Sequence, residues 1–172
     1  MTAMPPVRAG DPRDPVGNPL LSGLGPAAYA DRADRPDLTL HGLPRIVPMS
    51  LAPEFTIEER DPDPRGLPVT CADGAVAGVV IDVWVDRSEP QVRYLEVRVD
   101  PGNARVLLPI TYAKVHRSRA HIQVKAITAA QFVDVPKTAK ASVVTLLEED
   151  KIQAYFAAGH LYATPDRLGP VL

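Results

Sequence analysis

Proline limits what this chain can fold into more than any other residue. The 172-residue sequence holds 19 prolines; thirteen of them fall within residues 1–68, leaving six for the remaining 104. Each fixes its own φ, lacks an N–H to donate, and drives the preceding residue out of the α region. Long helices and central strands are therefore excluded from that stretch. Residues 1–38 read as an extended arm that needs another surface to order it, and the arm region as a whole extends to residue 65. Residues 66–172 read instead as a packed domain. With 45% apolar and 23% charged residues, the chain has enough apolar material for one core.

The domain opens with strand patterning. Val79, Ile81, Val83 and Val85 alternate with Val80, Asp82, Trp84 and Asp86, which predicts a strand with one strongly buried face. Asp73-Gly74 is a type I′ turn signal that would join residues 67–71 to 75–86 as a hairpin. Leu95, Val97 and Val99 form one face of the next strand, with Tyr94, Glu96 and Arg98 on the other. Pro101-Gly102-Asn103 turns the chain into residues 105–115, where Pro109 marks an edge or a bulge. A polar turn at 117–119 leads to a last strand over 121–127. Short strands at this spacing predict a mainly β fold, a small antiparallel β-barrel or sandwich.

The end of the chain changes to helical period. Thr145-x-x-Glu148 has the form of a capping box, and Ile152, Tyr155 and Phe156 follow at i, i+3 and i+4 on one face. Gly159 suits the left-handed position that ends a helix. The acids Glu148, Glu149 and Asp150 sit where the helix dipole favours negative charge, which accounts for them without a catalytic role.

Charge and cysteine usage exclude several classes of function. Nineteen basic residues against 21 acidic ones leave a net charge of −2, without the field a nucleic-acid binder uses. The single cysteine, Cys71, excludes an internal disulfide and a Cys-rich zinc site, and reads as a buried structural thiol. No run approaches the roughly 18–20 apolar residues of a membrane span, and residues 1–10 lack the apolar stretch of a signal peptide. A soluble intracellular chain is expected. His116 and His121 lie five apart among Lys114, Arg117, Arg119 and Lys125; such a cationic setting repels a metal ion and reads as a solvated basic turn, with a contact for an anionic partner as the alternative. Phosphate-binding, nucleophile-elbow and zinc-protease motifs are absent.

One constellation carries chemistry. Asp86, Glu89 and Arg93 fall in the connection between two well-patterned strands, with Glu89 held extended by Pro90. Two carboxylates close together beside a cation can have their pKa values driven apart. A polar turn in water is the plain alternative.

Several stretches then point to one family. They are Gly23-Leu-Gly-Pro-Ala-Ala-Tyr29, Ile46-Val-Pro-Met49, Asp63-Pro-Arg-Gly-Leu-Pro68, Val83-Trp-Val-Asp-Arg-Ser-Glu89, Arg93-Tyr-Leu-Glu96, Val106-Leu-Leu-Pro109, Thr145-Leu-Leu-Glu-Glu-Asp-Lys151 and Leu161-Tyr-Ala163. Together and in this order they resemble the H subunit of the purple-bacterial photosynthetic reaction centre. The resemblance implies a PRC-type β-barrel with a C-terminal helix, and a non-catalytic subunit at the cytoplasmic face of the photosynthetic membrane. It implies L and M subunits as partners, with the cytochrome subunit and light-harvesting 1 polypeptides in the same complex and no nucleic acid. Bacteriochlorophyll, bacteriopheophytin, quinones and non-haem iron would lie in L and M, none of them bound by this chain alone. The family's transmembrane helix has no counterpart in the sequence, so a peripheral, anchor-less form is expected, either a fragment or one whose anchor is encoded separately.

The resemblance also implies roles. The subunit caps L and M, supports assembly, shields the quinone sites, and conducts protons to the secondary quinone. Glu89, Asp86 and Arg93 match positions on that route, and His41 matches a surface proton-entry histidine. Docking onto L and M would desolvate Glu89 and raise its pKa, with Asp86 raising it further and Arg93 lowering it. Two other readings compete: a free-standing PRC-barrel module in ribosome maturation that uses the basic stretch 114–125 on RNA, and a hydrolase built on Asp86 and Glu89.

Overall fold

A computed structural model describes residues 15–168. The fold is the mainly β one that the sequence predicts, with a single α-helix after the strands. The strands are β1 (Ile46–Pro48), β2 (Pro68–Thr70), β3 (Val76–Asp86), β4 (Gln91–Val99), β5 (Ala104–Pro109), β6 (Lys114–His116) and β7 (His121–Gln123). The helix α1 spans Leu146–Tyr162. Among the described residues, no helix is long and apolar enough to cross a membrane.

The long strand β3 organises the sheet. It pairs along one side with β4, and along the other with β2 near its start and β1 near its end. The order β5-β4-β3-β2-β7-β6 leaves the sheet open among the described residues, and β7 runs parallel to β2. The expected small antiparallel barrel is thus refined: among the described residues the sheet is not closed, and one of its pairs is parallel. Pro109 supplies the physical reason. It ends β5, and the 3₁₀ turn Ile110–Tyr112 redirects the chain, which rejoins the sheet on the far side beside β2.

Two bulges refine the predicted strand faces. Between β3 and β4 the register skips Ile81 on one strand and Arg93 on the other. The expected face of Val79, Ile81, Val83 and Val85 is therefore broken: Val80, Val83 and Val85 are buried, whereas Val79 and Ile81 are half-buried. On β4, Leu95, Val97 and Val99 are fully buried as predicted. Tyr94 and Glu96 on the opposite face are buried too, because α1 and the Trp84 indole cover them, the indole N–H donating to Glu96 at 3.0 Å. The hairpin 71–75 turns through a three-residue loop with only Gly74 at positive φ (77°), a type I turn with a glycine bulge in place of the expected type I′.

The helix starts as its sequence predicts. Thr145 accepts from the Glu148 N–H while Glu148 accepts from the Thr145 N–H, which satisfies two orphan donors. Ile152, Tyr155 and Phe156 are buried. Gly159 does not end the helix; it lies inside α1, and a Cβ there would overlap the Ala126 carbonyl and come within 2.5 Å of Ile127 Cγ2. The residue is glycine because backbone crosses backbone. Arg167 completes the helix end, donating to the carbonyls of Gly159 (2.7 Å), Ala126 (2.8 Å) and Lys125 (2.7 Å). Gly159→Ala, which in a free helix gains about 1 kcal/mol, is expected here to destabilise the fold by about 2 kcal/mol through overpacking. Urea unfolding checks this, and a variant as stable as the wild type would mean that α1 can move off Ala126.

The first described part of the arm lies against α1. The 3₁₀ turns Pro19–Leu21 and Gly25–Ala27 pack on α1, burying Leu20 and Ala27. The carbonyls of Ala33 and Arg35 accept from Leu147 N–H (3.2 Å) and Leu146 N–H (2.9 Å). The first turn of a helix has donors without partners, and these carbonyls meet two of them. Residues 19–35 of the arm therefore lie on the chain's own helix; residues 1–14 of it lie outside the described residues.

Candidate functional site

Strand pairing assembles the polar centre. Ile46 lies opposite Asp86, so the preceding residue, Arg45, reaches the carboxylate at the end of β3. Arg45 Nε donates to both Asp86 oxygens at 2.9 Å. Asp86 also accepts from Arg93 Nη1 at 3.3 Å and from the N–H groups of Ser88 (2.8 Å) and Glu89 (3.1 Å). The bulge at Arg93 aims its side chain at this point. Its other Nη lies 3.7 Å from Glu149 Oε1, which accepts from the Tyr94 hydroxyl at 2.8 Å. Arg45 further pairs with Asp37 (3.5 Å) and Glu89 (3.6 Å).

Four carboxylates, Asp37, Asp86, Glu89 and Glu149, thus share two guanidiniums. Burial separates their chemistry. Asp86 has no exposed surface; burial alone would raise its pKa, but the Arg45 hydrogen bond and the N–H groups of Glu89 and Ser88 outweigh it and hold the pKa below the usual carboxylate value. Glu149 is nearly as buried, and there desolvation prevails over the Tyr94 hydrogen bond and the Arg93 charge, raising its pKa. Burial, then the charge of Glu149, drives the Tyr94 phenol well above its ordinary range, so it stays a donor. Two carboxylates in one cluster thus have pKa values displaced in opposite directions.

The residues singled out in the sequence are only partly brought together. Asp86 and Arg93 are in contact, and Glu89 joins them through Arg45 with its side chain 70% exposed. Between Asp86 and Glu89 stands Arg45, which pairs with both, and Arg93 pairs with Asp86 as well. His41 lies apart, on an exposed turn closed by hydrogen bonds from Thr39 N–H to Leu43 and from Arg45 N–H to Asp37. Arg45 and Glu149 were missed. Glu149 falls at i relative to Ile152 and Phe156 at i+3 and i+7, so the helical period itself puts a carboxylate on the apolar stripe. Arg45 carries no such signal, since its partner is 41 residues away.

Elsewhere, Cys71 is buried and desolvation, then Asp73, pushes its thiol up to about 12, the inert state expected of a structural cysteine. His116 and His121 stack at 4.7 Å across the β6–β7 pair, and His116 Nε2 shares a hydrogen bond with Gln123.

Residues 57–131, which include the open sheet from β2 to β7, match the PRC-barrel domain family. The class is therefore a PRC-barrel module joined to an arm that its own helix holds. Residues 2–51, including the Arg45 side of the charge cluster, match the photosynthetic reaction centre H-chain N-terminal region. With both matches in order, the chain is a photosynthetic reaction-centre H-subunit-like protein. That family is a structural, membrane-associated subunit. A free-standing PRC-barrel module of ribosome maturation would have no use for the arm match.

Proposed function

We propose that this chain caps the cytoplasmic side of the L and M subunits of a photosynthetic reaction centre and passes protons toward the secondary quinone. The observation that carries the proton role is the unequal sharing of two guanidiniums by four carboxylates, with Glu149 raised and Asp86 lowered in pKa. Pigments, quinones and non-haem iron belong, on this reading, to L and M; the H-like chain contributes a docking surface and titratable side chains.

Each residue has a separate task. Glu89, with its side chain mostly exposed, takes a proton from water, and His41, on its own exposed turn, is a surface entry group. Arg45 and Arg93 stay charged and fix the carboxylates; Asp86, held ionised, anchors both. Glu149, with the Tyr94 hydroxyl beside it, holds the proton in the interior. A relay works when its members titrate near the working pH and are already oriented.

The test is laser-flash kinetics on the complex with L and M. Glu89→Gln is expected to slow the second, proton-coupled electron transfer about tenfold between about pH 6 and 9, with a smaller effect from His41→Ala. The first transfer should hardly change. An unchanged second transfer in both variants would make Glu89 a solvated loop residue and remove the relay.

A further inference from the structure

The β6–β7 hairpin carries a cation surplus that no carboxylate balances among the described residues, with Arg117 donating only to the Arg60 carbonyl. Residues 101–133 contain no Asp or Glu, yet include Arg105, Lys114, Arg117, Arg119 and Lys125, in a chain whose net charge is −2. Arg105 pairs with Glu96; among the described residues, Lys114, Arg117, Arg119 and Lys125 form no ion pair. Two of these cations, Lys114 and Lys125, line one cleft of about 270 Å³ between the hairpin and the end of α1.

Beside Ala113 and Ala126, the cleft is lined by side chains that can donate hydrogen bonds. Thr111 and Tyr112 bring hydroxyls, Gln123 an amide, and His160 a ring tilted against Tyr112 at 5.5 Å. Burial raises the pKa of Tyr112, so its hydroxyl remains a proton donor at neutral pH. No carboxylate lines this cleft. The other concave sites described each hold at least one: Glu58, Glu59, Asp61 and Asp63 in one, Glu96 in a second, Asp150 in a third. The C-terminal end of a helix would ordinarily repel an anion. Here Arg167 binds the carbonyls of Gly159, Ala126 and Lys125, cancelling that partial charge from behind the cleft wall.

We propose that this cleft binds the phosphate group of an anionic ligand, with Lys114 and Lys125 as the charge partners and Thr111 and Tyr112 as hydroxyl donors. A phosphate fits because it offers several acceptor oxygens to donors on different walls, and because ammonium groups serve it as point charges. The phosphate could belong to an anionic lipid headgroup or to a soluble molecule, and the experiment separates the two.

The full chain is titrated with inorganic phosphate while the side-chain resonances of Tyr112 and His160 in the cleft, and of His41 and the exposed lysines and arginines outside it, are followed by NMR. In parallel it is floated with vesicles of phosphatidylcholine, with and without phosphatidylglycerol. Phosphate-dependent shifts confined to the cleft, together with flotation only on the anionic vesicles, assign a lipid headgroup; the same shifts without flotation assign a soluble phosphate. Lys114→Gln and Lys125→Gln are each expected to weaken whichever binding is seen about fivefold, and Lys140→Gln, outside the cleft, to leave it unchanged. The proposal is overturned by the absence of both signals, by shifts spread over all exposed cations, or by an equal loss in Lys140→Gln.

Discussion

Asp86→Ala is expected to lower stability by about 3 kcal/mol at neutral pH and the melting temperature by roughly 6–12 °C. The carboxylate has no contact with water and takes hydrogen bonds from two guanidiniums and two backbone N–H groups. Its removal unpairs Arg45 and Arg93 together and frees the turn at Ser88–Glu89. The loss stays at the lower end for a buried ion pair because both arginines reach solvent, with side chains 26% and 34% exposed, and can rehydrate. The pH dependence has a definite sign. The folded pKa of Asp86 lies below its unfolded value, so its contribution is present above about pH 4 and is lost as pH falls through the folded pKa. Unfolding curves of wild type and variant should therefore converge in acid. A gap that persists there would show that the loss is one of packing and not of charge.

Glu149→Gln should separate stability from function. The pKa of Glu149 is raised by folding, so its contribution is complete below the unfolded pKa and is lost as pH rises through the folded one. Glutamine stays neutral throughout and can still accept from Tyr94. The variant is thus expected to be at least as stable as wild type at pH about 8 and indistinguishable from it in acid. In the complex with L and M, however, it cannot hold a mobile proton, and the second electron transfer should slow by about tenfold or more. A stable variant with unimpaired transfer would leave Glu149 as a structural hydrogen-bond acceptor and move the relay elsewhere.

What the sequence made legible was local. The capping box, the Leu95–Val97–Val99 face and the hairpin at Gly74 each depend on residues within a few positions, where period and turn chemistry speak directly. The bulges at Ile81 and Arg93 were hidden because the alternation reads the same whether or not one residue is skipped; only the partner strand reveals the skip. Arg45 could not be tied to Asp86, nor Arg93 to Glu149, without β1 docking on β3 and α1 covering β4. Gly159 was misread for a related reason: a glycine near the end of a helical pattern suits a cap equally well as a close crossing, and the crossing partner, Ala126, gives no sign in the sequence. The parallel β2–β7 pair was likewise unreadable, since no turn connects the two strands.

The bond between the arm and α1 has a bearing on how the protein is made. Asp34 meets Thr145 across 111 residues, and Arg32 meets Asp150 across 118. On the ribosome, residues 18–35 emerge long before the helix they rest on, so they wait without their partner while the sheet condenses. Closing so long a loop adds only modestly to the entropy but slows the search. Arm docking is thus expected to be the late step of folding, and until it happens the first turn of α1 keeps its N–H groups open. Residues 18–35 are thus held only once α1, more than a hundred residues later, has been made.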